Sequence, residues 1–278
     1  MGLAPLLGNS ITTFPLRARN VTIALIVKFM RTAYRQQLDE FAHDLIILCD
    51  VTKDCITKAT DALMRTSLAS AEGALSNADQ LEEVRLRCES QAVGLLALET
   101  PVARDLRQVV SSIYIVEDFT RMGALAIHIA NSVRRRYPDP VVPDDMQGFI
   151  REMARLVSSM TDSIRQILID PNPDVALEMT ANDDAVDDLH QHIMRVLTSR
   201  PWPYSTRSAV DVALLSRFYE RYADHTVNVA ARIIYLATGL QPEEYIRKRE
   251  QKQIEADVEK RWAELERQFR NSNKDREI

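Results

Sequence analysis

The sequence predicts an all-α protein, two tandem antiparallel three-helix bundles followed by a charged C-terminal helix, and three observations carry this. Glycine is scarce, 7 residues in 278, where a share of roughly 7% is usual and where turn-rich β folds need it for positive φ. The prolines beyond residue 100 fall in clusters, at Pro101, at Pro138, Pro140 and Pro143, at Pro171 and Pro173, at Pro201 and Pro203, and at Pro242. Between the clusters, apolar side chains recur at spacings of three and four, as in Leu106, Val109, Val110, Ile113, Val116, Phe119 and Met122. That is the helical period, and proline punctuates it because it cannot continue a helix interior.

Helices are accordingly expected near 31–66, 77–99, 101–137, 144–170, 183–199 and 205–238. Thr100 before Pro101 suits a helix start, as do Asp144 after Pro143 and Ser205 after the Pro201-Trp202-Pro203 break. Gly239 suits the C-cap of the sixth helix. The six helices repeat. Residues 205–233 align on 105–133 at an offset of 100, and 71–84 on 176–189 at an offset of 105. The second alignment places Asp79 on Asp184 and Glu83 on Asp188. Two related units follow, 30–137 and 144–239, each expected to bury the apolar stripe of its own three helices.

The two ends differ from the bundles. Residues 1–29 hold two prolines, two glycines and no acidic residue. They read as an unpacked extension or a misassigned start, with Met30 the natural beginning of the charged, helical sequence. Arg17 and Arg19 before the apolar run of Val21 to Val27 imitate a signal peptide, but no small-residue cleavage site follows. Segment 241–278 carries ten charges of each sign. Its residues Ile254, Val258, Trp262, Leu265 and Phe269 share one face of an expected helix, which either docks on the body or a second subunit or stands as a solvated tail.

Composition narrows the function classes. A net charge of −5 speaks against a nucleic-acid partner, since phosphate binding asks for a basic surplus. No apolar stretch approaches membrane-span length, and Lys28 interrupts the longest. Cys49, Cys55 and Cys88 are odd in number and lack a CxxC spacing, so neither a disulfide framework nor a zinc finger is indicated and a reducing cytoplasm fits. Phosphate-loop, dinucleotide, nucleophile-elbow and zinc-protease motifs are all missing, and no catalytic residue is assigned.

What remains is carboxylates. Asp184, Asp188 and His192 stand four apart on one helix, with Asp187 beside them, and Glu220, Asp224 and Asn228 stand four apart on the next. Carboxylates stacked at that spacing repel unless a cation compensates. Oxygen ligands on adjoining bundle helices suit Mg, Mn or Fe. The competing reading is a solvated acidic face near a helix N-terminus, where the macrodipole favours Asp.

Three strings bear a family resemblance: Met30-Arg-Thr-Ala-Tyr-Arg-Gln-Gln-Leu-Asp-Glu-Phe41, Leu95-Leu-Ala-Leu-Glu-Thr-Pro-Val-Ala-Arg-Asp-Leu-Arg107 and Tyr219-Glu-Arg-Tyr-Ala-Asp-His-Thr-Val-Asn-Val-Ala230. Over about 30–240 the chain resembles PhoU, the accessory regulators of phosphate-specific transport, which also show the double three-helix repeat. The resemblance implies a cytoplasmic, non-enzymatic adaptor that restrains the phosphate-starvation response. Its partners would be a membrane sensor histidine kinase and the ATP-binding subunit of a phosphate ABC transporter, with the membrane reached through them alone. It also implies a homodimer and a metal site, for a divalent or trivalent ion such as Mg, Mn, Fe or Zn.

The family's paired acidic motif carries over at Asp184 with Asp188 and at Glu220 with Asp224. In the first bundle Asp79 and Glu83 remain, but Thr120 and Ala124 replace the second acidic pair, so metal is expected in the second bundle only. Arg104, Asp105 and Arg107 open the third helix with charge. They are a docking edge or, alternatively, pair within the first bundle. The rival to the adaptor is a metal-dependent bundle enzyme or metal store.

Overall fold

A computed structural model describes residues 16–98, 103–199 and 201–274. All regular elements among these are helices: α1 (Leu16–Arg65), α2 (Leu68–Leu98), α3 (Ala103–Arg136), α4 (Asp144–Ile169), α5 (Pro173–Ser199), α6 (Thr206–Thr238) and α7 (Pro242–Lys274). The all-α expectation holds, and each proline cluster among the described residues sits at a helix boundary. Residues 1–15 and the Thr100–Pro101 start of the third helix lie outside the described residues.

Three starts differ from expectation. α1 begins at Leu16, so the expected extension is in part the first turns of a 50-residue helix. α2 begins at Leu68 rather than near 77, because Ser67 caps it by accepting from the Ser70 N–H at 3.2 Å. Its first turns are rich in Ala, Ser and Gly, which blurs the apolar period. α5 begins at Pro173 rather than near 183, since Asn172 Oδ1 accepts from the N–H groups of Asp174 and Val175 at 2.9 and 3.4 Å. Asn before Pro is an N-cap with proline at the first helical position. At the start of α4, Pro143 rather than Asp144 occupies the cap position, and Asp144 and Asp145 stand in the first turn, where their charge meets the positive end of the macrodipole.

Ser205 and Gly239 cap α6 as expected. The Ser205 hydroxyl accepts from Ser208 N–H at 3.2 Å, and Gly239 takes φ +75° while its N–H reaches Tyr235 C=O at 2.8 Å. Glycine is required there because an L side chain is strained at that φ.

The apolar stripes build one core rather than two. α1 buries Phe41, Leu45, Leu48, Ile56, Ala59 and Leu63, α4 buries Ile150, Met153, Val157 and Ile164, and all belong to a single cluster continuous with α3 and α6. α3 packs on α6 and α1 on α4, which joins the two three-helix units. Two fully buried tyrosines on α6 bond to other helices, Tyr219 across this seam and Tyr222 within the second unit. Tyr219 OH bonds Thr60 Oγ1 on α1 at 2.8 Å. Tyr222 OH lies 3.2 Å from Thr161 Oγ1 on α4; that threonine donates to Val157 C=O, so the tyrosine is the donor. Arg165 grips Asp50 through two bonds at the solvent edge of the same seam.

Cys49, Cys55 and Cys88 are free and buried in this core, and burial pushes each thiol up to about 12. They pack as small apolar groups.

α7 leaves the body within two turns. Tyr245 OH donates to Asp174 Oδ1 at 3.0 Å and Arg249 lies 3.4 Å from the same carboxylate. From Glu250 to Gln268 every side chain is exposed. The apolar face of this helix therefore does not dock on its own body.

Candidate functional site

In the second unit α5 packs against α6, and the acidic residues meet at that seam. Glu220 is the most enclosed, 8% exposed. It lies on the buried stripe of α6 between Tyr219 and Ala223, and its Oε1 contacts Arg217 one turn back while its buried Oε2 has no hydrogen-bond partner. Across from it Asp183 Oδ1 is likewise buried without a partner. Burial, then the charges of Asp224, Asp187, Asp184 and Glu220, push the Asp183 carboxyl up to about 6. Asp187 and Glu220 are pushed up by burial and by Asp224. The residues facing one another are thus Asp183 and Asp187 on α5 with Glu220 and Asp224 on α6.

The sequence reading named the neighbouring pair: Asp184 and Asp188 are exposed, with the Asp184 charge acting on Asp183 and Asp187. The signal that separates the two registers was present. Met179, Val186 and Ile193 are the buried stripe of α5, and Asp183 stands four after Met179 and three before Val186, on that stripe. Asp184 and Asp188 lie two residues either side of Val186, off it. The other candidates are also elsewhere. His192 packs against Phe149 of α4 with ring centroids 4.9 Å apart and tilted by 41°, and Asn228 is exposed in a groove with Tyr114, Asp118 and Arg232. His190 Nδ1 lies 3.0 Å from Ser216 Oγ, and burial and Arg217 hold its pKa down.

Buried carboxylate oxygens without partners, drawn upward in pKa by one another, are the electrostatic condition a cation relieves. Among the described residues, however, no three carboxylate, imidazole or thiol groups converge closely enough to coordinate one ion. A cation at this seam would be held by Asp183, Asp187, Glu220 and Asp224 only after their side chains turn inward, with Glu220 released from Arg217.

The first unit has no such seam. Asp79 and Glu83 are exposed, Thr120 donates to Val116 C=O on its own helix, and Ala124 is exposed. Its buried acid is one the sequence reading passed over. Asp44, 6% exposed, accepts from Arg87 Nε and Nη2 at 2.9 and 2.7 Å and from Gln91 at 2.9 Å. A carboxylate so fully paired is a structural clamp between α1 and α2.

Of the three charges opening α3, Arg107 is internal. Its guanidinium lies over the Tyr235 ring at 5.7 Å and against Gly239 at the C-cap of α6. Arg104 is exposed and Asp105 half-buried. On α2 and α3 an apolar surface is open to solvent. Leu106, Val110 and Ile113 of α3 are 42%, 39% and 41% exposed, and Val93 and Leu96 of α2 are exposed too. A small cavity lined by Arg85, Cys88 and Glu89 of α2 and Ile113, Val116 and Glu117 of α3 fixes the antiparallel register. That register sets Leu96 near Leu106 and Val93 near Val110.

No helix among the described residues is long and apolar enough to cross a membrane. The PhoU domain family model matches the chain twice, over residues 45–133 and 150–233. The chain is 43% identical over 213 residues to phosphate-specific transport system accessory protein PhoU homolog 2 of Mycobacterium tuberculosis, covering 77% of this chain and all of the relative. With PhoU homolog 1 of the same organism it shares 40% over 215 residues, 77% of this chain and 97% of the relative. The crystal structure of PhoU from Pseudomonas aeruginosa superposes with a TM-score of 0.68 at 22% identity, over 74% of this chain and all of that one. The phosphate transport regulatory protein PhoU from Streptococcus pneumoniae gives 0.65 at 21%, over 75% and 98%. With one domain match on each three-helix unit and relatives covered from end to end, the chain belongs to the PhoU family of phosphate-specific transport accessory proteins.

Proposed function

We propose that this chain is a cytoplasmic, non-enzymatic regulator of phosphate uptake and phosphate-starvation signalling. It acts as a restraining adaptor between a phosphate ABC transporter and a sensor histidine kinase. The observation that carries the reading is the double domain match at 40–43% identity to accessory proteins of phosphate-specific transport. The surface supports it as well. An open apolar face on α2 and α3, with Arg85, Glu89 and Glu117 beside its Ile113, has the composition of a protein-docking face, apolar at the centre and charged at the edge.

The test uses the purified ATP-binding subunit of the phosphate transporter and the cytoplasmic part of the kinase from the same organism. Binding of the wild-type chain is measured with Arg104→Glu and Leu106→Glu variants at low and high salt. Saturable binding to either partner, weakened in the variants and by salt for the Arg104 change, supports the reading. Absence of binding to both partners overturns it. The acidic seam of α5 and α6 is proposed as a divalent cation site that tunes this adaptor, supported by the partnerless oxygens of Asp183 and Glu220.

A further inference from the structure

Where α1 of the first unit runs antiparallel to α4 of the second, charge meets opposite charge on two successive levels. Asp50 faces Arg165 and, one turn on, Lys53 pairs with Asp162. The same register sets Thr57 level with Ser158 and Thr60 level with Arg155, and there the pattern breaks. α4 brings Arg151 and Arg155, while α1 answers with hydroxyls in place of carboxylates. Between the two helices lies a groove of about 260 Å³, floored by Ile56 and Ala154 and edged by Thr60, Arg151, Arg155 and Ser158. We propose that this groove binds the phosphate ester of a small molecule, with the phosphate on Arg151, Arg155, Ser158 and Thr60 and the organic part over Ile56 and Ala154.

The donors are open. Arg151 is exposed, and among the described residues neither it nor the Ser158 hydroxyl has an ion pair or a hydrogen bond. Arg155 engages Glu152 of its own helix through Nε and Nη2 at 2.9 and 2.6 Å, which leaves Nη1 without a partner. The Tyr219 hydroxyl is fully buried and meets only Thr60 Oγ1 among the described residues, so the phenol donates and the threonine keeps its own hydrogen for the groove. Arg151 and Arg155 stand four apart on one helical face, where like charges repel unless an anion compensates. The planar guanidinium fork matches two oxygens of a phosphate. The nearby acids are already engaged, Asp61 by Arg65 and Ser70, Glu152 by Arg155 and Asp162 by Lys53.

Size and charge select the occupant. Two arginines interspersed with Asp61, Glu152 and Asp162 make too small a basic field for a nucleic acid or an anionic lipid surface, which ask for a cationic surplus over a whole face. The groove is just smaller than the roughly 300–1,000 Å³ of drug-sized ligand sites. Its floor is apolar and buried at Ile56 and Ala154, which offers nothing to a bare oxyanion and favours a ligand with a carbon skeleton. Such binding does not depend on which proteins the chain docks on.

The test is isothermal titration calorimetry of the full chain in magnesium-free buffer with chelator, against AMP, ribose 5-phosphate, inorganic phosphate and sulfate. Wild type is compared with Arg151→Ala, Arg155→Ala and Arg195→Ala, the last an exposed control on α5. The expected result is saturable binding of at least one ester, tighter than inorganic phosphate and weakened about tenfold or more in both groove variants but not in Arg195→Ala. Circular dichroism should be unchanged throughout, because both groove arginines are exposed. The bound ester should raise the melting midpoint of wild type, since it joins α1 to α4. Absence of saturable binding of both esters into the millimolar range, or ester binding that both groove variants keep, overturns the proposal. So does binding of sulfate or inorganic phosphate as tight as that of the esters, which would mark an adventitious anion patch.

Discussion

His225 Nδ1 on α6 lies 2.9 Å from Asp118 Oδ1 on α3, with the side chains 11% and 15% exposed. This bond crosses between the two three-helix units, at the residue next to Asp224 of the acidic seam. Asp118 stands in the first unit where an acid facing a metal would be out of register, and the structure gives it a different use.

Replacing Asp118 by Asn removes the charge while keeping a polar group near His225. A hydrogen bond to a charged group is worth about 1.5–3 kcal/mol, and in a domain of this size each kcal/mol moves the midpoint by roughly 2–4 °C. Asp118→Asn is therefore expected to lower the melting temperature by about 3–12 °C. Differential scanning calorimetry checks it; an unchanged midpoint would show that the pair contributes nothing to holding the units together.

A second prediction follows from Asp183. Its carboxyl sits at about 6 in the folded chain against 3.8 ordinarily. Between those values the folded state holds a proton that the unfolded chain has lost, so this group favours folding more as pH falls through the window and opposes it above about 6. Asp183→Asn should melt higher than wild type at neutral pH in the presence of a chelator, and the gap should close as pH falls below 6. A difference that does not vary with pH would show that Asp183 is not the group responsible.

The fold was legible because helical periodicity and proline clusters are local signals, and at residues such as Ser205 and Gly239 the cap chemistry agrees with them. The start of α5 was equally local, in Asn172-Pro173, and was missed in favour of the later acidic run. The continuity of the core was not local. Tyr219 reads as an ordinary apolar-stripe residue, and nothing near it in sequence says that Thr60 waits across the seam. The acidic cluster was legible in composition but the buried register on α5 was not, because i and i+4 spacing holds equally for Asp183 with Asp187 and Asp184 with Asp188. Only the buried stripe of Met179, Val186 and Ile193 decides between them.

Gly239 gives a third prediction. At φ +75° an added Cβ is strained, and it would also run into the Arg107 guanidinium. A left-handed residue with a side chain costs about 1–2 kcal/mol before any clash. Gly239→Ala is expected to lose about 2–8 °C or more in melting temperature. Combining it with Arg107→Ala should cost less than the two single changes summed, since the clash is then gone. Strict additivity in that double-mutant cycle would place the Arg107 guanidinium elsewhere, restoring it as an exposed docking charge.

The last prediction concerns competition at the acidic seam. Arg217 engages Glu220 Oε1, while Glu220 Oε2 and Asp183 Oδ1 remain without partners. A divalent cation entering between α5 and α6 must displace that guanidinium and the proton that Asp183 holds below about 6. Removing the arginine removes the first competitor, so Arg217→Ala should bind Mn or Mg several-fold more tightly than wild type, as read by isothermal titration calorimetry. Lowering the pH through 6 should weaken binding in both proteins, because ligand carboxylates must be deprotonated. Glu220→Gln with Asp224→Asn should abolish binding, while Asp79→Asn with Glu83→Gln, on the exposed face of the first unit, should leave it intact. Should Arg217→Ala bind no better than wild type while the Glu220 and Asp224 changes have no effect, the α5–α6 seam is not a cation site and its raised carboxyls are relieved by protons alone.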